Sequence, residues 1–189
     1  MTTRTQSRWS SIAAALPLLI ATPLTADDDH RGDDRQEEVK ANLSGYQEVP
    51  TLSSGGSASF HARIADDNQS FDWVLTYSGL TSVTQAHIHF AARAISGPIV
   101  IFLCTNLGNA TAGTTSGTQA CPVSAGTVTG TAVPSDVGGG AAGLGIPAGD
   151  FAKMLDAIRN HAAYANVHTT ARPAGEIRGQ IRDADHHHH

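Results

Sequence analysis

Two histidines one residue apart, His87 and His89 in Gln85-Ala86-His87-Ile88-His89-Phe90, are the residues whose type and spacing point most directly to chemistry. Successive side chains of an extended strand leave on opposite faces, so positions 87 and 89 project together. Two neutral imidazoles on one face can reach a single ion, and copper, zinc, iron and nickel all accept such ligands. His168, in Tyr164-Ala165-Asn166-Val167-His168-Thr169, ends another β-type segment and is a third candidate ligand. His61, in Ser59-Phe60-His61-Ala62-Arg63, is a fourth if its strand faces the same way. The competing reading is that these rings are hydrogen-bonded or exposed and hold no metal. Three histidines in β segments, two of them on one face, favour the metal. His30 and His161 stand alone, and His186 to His189 after Asp183-Ala184-Asp185 read as a purification tag, so none of them enters the site.

Other chemistries lack their signatures. No glycine loop follows a strand and opens a helix, so Gly138-Gly139-Gly140 reads as flexible loop and not as a phosphate cradle. No nucleophile elbow is present, and nothing in the spacing points to a Ser/His/Asp arrangement. The two cysteines, Cys104 and Cys121, read first as a disulfide in an oxidising compartment, worth about 3 kcal/mol for a loop of this size. A metal-thiolate role is the weaker reading, since no second cysteine sits at chelating spacing.

The elements that must position these residues are short. Segments rich in β-branched and aromatic residues, separated by Gly, Ser, Asn and Asp clusters, predict strands near 39–46, 56–65, 70–78, 84–90, 98–103, 126–132, 163–168 and 175–182. Asp66-Asp67-Asn68 has the chemistry of a hairpin turn. Phe71, Trp73, Leu75 and Tyr77 alternate with Asp72, Val74, Thr76 and Ser78, which predicts one buried aromatic face. From Pro147 to His161 the apolar residues Phe151, Met154, Leu155 and Ile158 fall at helical spacing, which predicts one amphipathic helix. Between Asn106 and Gly145 the chain is mostly Gly, Ala, Ser and Thr, and long mobile loops around a short strand are expected there. About eight strands with one short helix define an all-β class, an antiparallel Greek-key sandwich or barrel.

The 189 residues carry a formal charge of −5. Arg4 and Arg8 precede an apolar run from Ile12 to Ile20, and a Thr- and Pro-containing stretch ends at Ala26. Residues 1–26 therefore read as a secretory signal peptide, too short in their apolar part for a spanning helix. Their removal takes away two arginines and no acids, leaving −7. An acidic protein is a poor partner for nucleic acid, and no membrane span remains after cleavage. Residues 27–39, from Asp27-Asp28-Asp29 through Glu37 and Glu38, read as a solvated acidic linker; an acidic metal-binding tail is the weaker alternative. A single domain is expected over 40–182, followed by a tail over 183–189. Oligomeric state has no signature in the sequence.

Ser78-Gly79-Leu80, Ala86-His87-Ile88-His89-Phe90, Gly97-Pro98-Ile99-Val100, Tyr164 to Thr169 and Pro173-Ala174-Gly175-Glu176-Ile177-Arg178-Gly179-Gln180-Ile181 together resemble the CHRD domain first named from chordin. The likeness covers about residues 40 to 182. In chordin the domain belongs to an extracellular protein that binds growth factors, so the family implies export more than it implies an activity. The order of a Gly-Leu turn, a His-X-His strand, a disulfide-bearing loop, a later Val-His and a Gly-rich last strand is also similar to the copper/zinc superoxide dismutases. That second likeness implies copper held by His87, His89 and His168, with His61 as a possible fourth ligand, and a small anion such as superoxide as partner. The stretch from Gly108 to Gly126 has no counterpart of the dismutase zinc loop, so copper ranks ahead of zinc. No arginine aligns with the dismutase guiding residue, and Arg172 and Arg178 are the candidates to replace it. Three functions follow from these likenesses: a copper-dependent redox enzyme, a copper-handling protein without turnover, and a metal-free interaction module.

Overall fold

Alternation of apolar and polar residues organises the computed structural model, which describes residues 1–2, 36–110 and 118–184. The signal-type segment, most of the acidic linker and the terminal histidines lie outside the described residues. The chain divides into two units, Met1–Asp34 and Arg35–His189, and all described secondary structure belongs to the second.

Nine strands run β1 (Glu38–Ser44), β2 (Ser57–Ile64), β3 (Phe71–Ser78), β4 (Val83–Phe90), β5 (Ile99–Thr105), β6 (Gly126–Ala132), β7 (Ala163–Thr169), β8 (Ile177–Gln180) and β9 (Arg182–Asp183). The described ladders are all antiparallel, in the order β5-β4-β7-β8-β1-β2-β3-β6, with β9 adding to β1. The sheet curls into a nearly closed barrel in which β6 comes back beside β5. Strands β4, β5 and β6 follow one another and β7 returns to lie against β4, which is a Greek-key connection. The predicted strands are all present, shifted by a residue or two at their ends. The last is divided, with β8 ending at Gln180 and β9 starting at Arg182.

The inward faces fill the interior. Phe71, Trp73, Leu75 and Tyr77 are buried on β3 while Asp72, Val74, Thr76 and Ser78 are exposed, as the period of two requires. They pack with Phe60 and Ile64 of β2, Ile88 of β4, and Ile101 and Leu103 of β5. Each such side chain contributes about 1.5–3 kcal/mol by leaving water. The Asp66–Asn68 turn closes the β2–β3 hairpin, with Asn68 at φ 56° and its N–H donating to Ala65 O.

Helix α1 spans Phe151–Arg159, shorter at both ends than the predicted 147–161. Asp150 caps it by accepting from Lys153 N, and Phe151, Met154, Leu155 and Ile158 form its buried face. The Phe151 ring stacks on Phe71 with centroids 5.7 Å apart.

The stretch between Asn106 and Gly145 departs from the expected mobile loops. Cys104 and Cys121 form a disulfide across a separation of 17 residues. Asn106 donates to the carbonyls of Val83 and Cys121 and accepts from Cys121 N, so the loop is pinned to the start of β4. Two 3-10 turns, Pro134–Asp136 and Gly139–Leu144, then pack against β5 and bury Val137, Ala141 and Ile146. Small residues permit this packing: a Cβ at Gly140 would collide with Ile99 O. At Gly140 the missing side chain reflects close approach of backbones, whereas Gly108, Gly143 and Gly145 face open space. Residues 111–117 of the same stretch lie outside the description.

Candidate metal centre

Strands β4, β7 and β8 are unlike the rest because both of their faces are covered. Their inward residues, Ala86 and Ile88, Ala165 and Val167, and Ile177, belong to the apolar core. Their outward residues are polar and still buried: His87 and His89 on β4, Asn166 and His168 on β7 beside Tyr164, and Arg178 and Gln180 on β8. Loop segments lie over this second face and supply its hydrogen-bond partners. Gln180 donates to Ala91 O, Arg178 to Ile95 O and Asn166 to Glu48 Oε1.

The strand register brings the histidines together. His87 pairs with Asn166, Gln85 with His168 and His89 with Tyr164, so His168 is diagonal to His87 on the same face. Toward β5 the register of β4 shifts between Ala86 and His87 and again between Ile88 and His89. Bulges of this kind re-aim side chains at sites. The imidazole centroids are 5.5 Å apart for His87–His89, 4.9 Å for His87–His168 and 5.9 Å for His89–His168. One nitrogen from each ring lies within 4.8 Å of the other two, and all three residues are buried.

Hydrogen bonds set the tautomers. A carbonyl only accepts, so His89 Nδ1 donates to Gly97 O at 2.9 Å and His168 Nδ1 donates to Pro173 O at 3.0 Å. The Nε2 atoms of His89 and His168 therefore carry lone pairs. His87 Nδ1 lies 3.2 Å from His168 Nε2. His87 Nε2 and His89 Nε2 are buried with no hydrogen-bond partner. Burial pushes His87 down to about 2, with the nearby His168 and His89 adding repulsion. Burial pushes His89 down to about 4, against the Gly97 bond that favours its charged form. Burial also lowers His168, against the Pro173 bond. Neutral rings with their far nitrogens fixed on backbone carbonyls are the state in which histidine binds metals.

The donor set fits an ion. Two nitrogens bonded to one tetrahedral metal at about 2.0–2.1 Å sit about 3.3 Å apart, close to the 3.2 Å between His87 and His168. His87 Nε2 and His89 Nε2 have no hydrogen-bond partner among the described residues, and His168 Nε2 meets only His87 Nδ1. This buried three-histidine group can hold a metal.

The other candidates are placed elsewhere. His61 is exposed on β2, opposite Lys40 and Val74, and three strands separate β2 from β4. The parity that buries Phe60 and Ala62 turns His61 to solvent, where it lines a different cavity with Arg63 and Asp72. It does not complete the histidine group. Arg178 is 3% exposed, with its guanidinium carbon 3.8 Å from the centroid of the Tyr164 ring, so it does not stand at an entrance as an anion guide would. Arg172 is exposed on the loop that also carries Pro173.

Several neighbours of the group were not anticipated from the sequence. Tyr164 stacks on His89, with centroids 4.7 Å apart and planes 4° from parallel, and lies between His89 and Arg178. Its hydroxyl accepts from Gly97 N at 3.2 Å, next to the carbonyl that holds His89. Asn166 donates to Glu48 Oε1 at 2.6 Å and to Ile177 O at 2.8 Å. The period of two that pairs His87 with His89 also places Tyr164 and Asn166 with His168, so that signal was present. Glu48, Gly97 and Pro173 arrive from remote loops and left none.

A barrel of antiparallel strands with a buried three-histidine group under the loops of its closing motif defines an all-β domain with a group that can hold a metal. The chain belongs to the CHRD domain family, whose model matches residues 39–181. No curated protein matches the chain significantly. Among the described residues no helix is long and apolar enough to cross a membrane.

Proposed function

We propose that this is an exported copper-binding CHRD-domain protein in which His87, His89 and His168 are the ligands. The observation that carries the reading is the convergence of three buried imidazoles, one nitrogen of each within 4.8 Å of the other two, with His89 Nε2 left without a partner. All three donors are neutral imidazoles, without carboxylate or thiolate, and such sites bind copper more tightly than zinc. The likeness to copper/zinc dismutases, without a counterpart of their zinc loop, supports the same choice. Copper bound there would supply one-electron redox chemistry. The rings are held in place by Gly97 O and Pro173 O, and Tyr164 and Phe102 pack on the rings of His89 and His87. The signal-type residues 1–26 and the disulfide support an oxidising destination, periplasmic or extracellular.

A second reading is a dismutase-like redox enzyme acting on a small anion such as superoxide. It is favoured by a set of three ligands, which leaves a position for substrate, and by exposed Arg172 on the covering loop. Arg178 acts from within, through Tyr164, and not as a guide from solvent.

Tag-free protein titrated with copper and with zinc against a competing chelator tests the first reading. One copper per chain, lost in His87→Ala and His168→Ala and kept in His61→Ala, is the expected result. Equal affinity in His87→Ala refutes it. Superoxide removal by the copper-loaded protein, abolished by His87→Ala, decides for the enzyme.

A further inference from the structure

A second polar cavity lies on the same covered face, beyond the Tyr164 ring from the histidines. Its volume is about 190 Å³, and Arg178, Arg93, Glu48, Tyr46, Thr51 and Gln180 line it. A liquid water occupies about 30 Å³, so the cavity has room for roughly six waters, or for a small organic acid.

Arg178 is the feature that calls for a ligand. Its guanidinium has five N–H donors. One bond, from Nη2 to Ile95 O, and the face of Tyr164 are its partners among the described residues. Among the described residues no carboxylate lies within ion-pair distance of it, although the residue is 3% exposed. A buried cation is expensive unless an anion compensates it, and a tyrosine face offsets about 2 kcal/mol at most. Glu48 shares the cavity wall and feels the charge of Arg178, but it makes no ion pair with it, and its Oε1 is taken by Asn166. Burial raises the Glu48 pKa, against the Asn166 bond and the charge of Arg178. Arg93, on the other wall, is exposed and has no hydrogen bond or ion pair among the described residues. Two guanidinium groups that make no ion pair among the described residues thus border one small cavity, with Glu48 as the acid in its wall.

We infer that this cavity is a binding site for a small organic carboxylate, gripped by the unfilled donors of Arg178 and by Arg93, with Tyr46 and Ala94 against its carbon skeleton. Planar two-pronged donors match carboxylate geometry, which is why arginine is the residue for this task. The site does not depend on the metal reading, because none of its residues is among the histidines.

Metal-free, tag-free protein titrated with malonate by calorimetry tests it, with sulfate at equal ionic strength as the comparison anion. Malonate is expected to bind one per chain and to raise the melting temperature, with at least tenfold weaker binding in Arg93→Ala, a change at an exposed position that leaves the fold intact. Arg178→Lys, which keeps charge and loses the fork, is expected to weaken malonate similarly. His87→Ala is expected to bind malonate as the parent does. No binding by the parent, equal binding in Arg93→Ala, or a sulfate response as large as that of malonate overturns the assignment.

Discussion

Lowering the pH of the metal-free protein from 7 to 5 is expected to remove about 4 kcal/mol of its stability. His87 and His89 are held neutral in the fold, at about 2 and about 4, whereas in the unfolded chain each titrates near 6.5. Their folded values lie below their unfolded ones, so acid favours the unfolded chain, which binds the protons. Stability is therefore full above pH 7 and falls as pH drops through 6.5. Between pH 7 and 5 each group contributes about 1.9 kcal/mol of loss, from the linkage of proton uptake to unfolding. His168 is lowered by burial as well and adds in the same direction. Glu48 opposes the trend, since burial raises its pKa and acid then favours the fold. The loss is large against the 5–15 kcal/mol of a typical domain. Urea denaturation followed by circular dichroism, in chelator, at half-unit pH steps measures it. His89→Gln should remove about half of the dependence. A change below about 1 kcal/mol over this range would refute the burial of neutral rings on which the site rests.

Replacing Cys104 and Cys121 together by alanine should lower stability by about 3 kcal/mol, the loop-closure value for 17 intervening steps, seen as a lower urea midpoint. Gly97→Ala should weaken copper binding by 10–100-fold while all three histidines remain, because the added Cβ collides with Phe90 O and displaces the carbonyl that orients His89; an unchanged chelator competition would refute that orienting role. Asn166→Leu should cost about 3 kcal/mol, since it strips the partner from buried Glu48 and from Ile177 O. Denaturant titration checks it, and a loss under 1 kcal/mol would mean that Glu48 finds another donor.

What was legible in the sequence follows from local periodicity. The alternation in Phe71 to Ser78 fixes a buried face without reference to any other strand, and the structure reproduces it residue by residue. His87 and His89 share a face for the same reason. His168 joins them through the pairing of β4 with β7, strands 81 residues apart at the His87–His168 contact, and the family likeness carried that placement. His61 shows the limit of the pattern. Its parity is readable, yet which strands separate it from β4 is a property of the Greek-key order and not of the segment. The Gly/Ala stretch after Ala132 is ambiguous in sequence because low side-chain volume signals either freedom or close approach. The collision that a Cβ at Gly140 would make with Ile99 O shows that here it is close approach.

The polar layer on β4, β7 and β8 makes little sense as a device for folding. An apolar set at the same positions would bury as much surface without leaving His87 Nε2 and His89 Nε2 unpaired, and each unpaired buried group costs about 1–3 kcal/mol. The fold nevertheless spends strands on positioning the rings and loop carbonyls on fixing them, Gly97 O for His89 and Pro173 O for His168. Rigid strands with orienting carbonyls behind the ligands are what a preorganised site requires. A metal would satisfy the orphaned nitrogens and recover the stability lost to them, because a ligand that binds only the folded chain stabilises it by mass action. On the far side of Tyr164 the same logic applies to Arg178, a buried cation short of partners beside an open cavity. One face of the barrel thus carries two unmet demands of opposite kind, lone pairs seeking a cation and a cation seeking an anion, separated by a single aromatic ring.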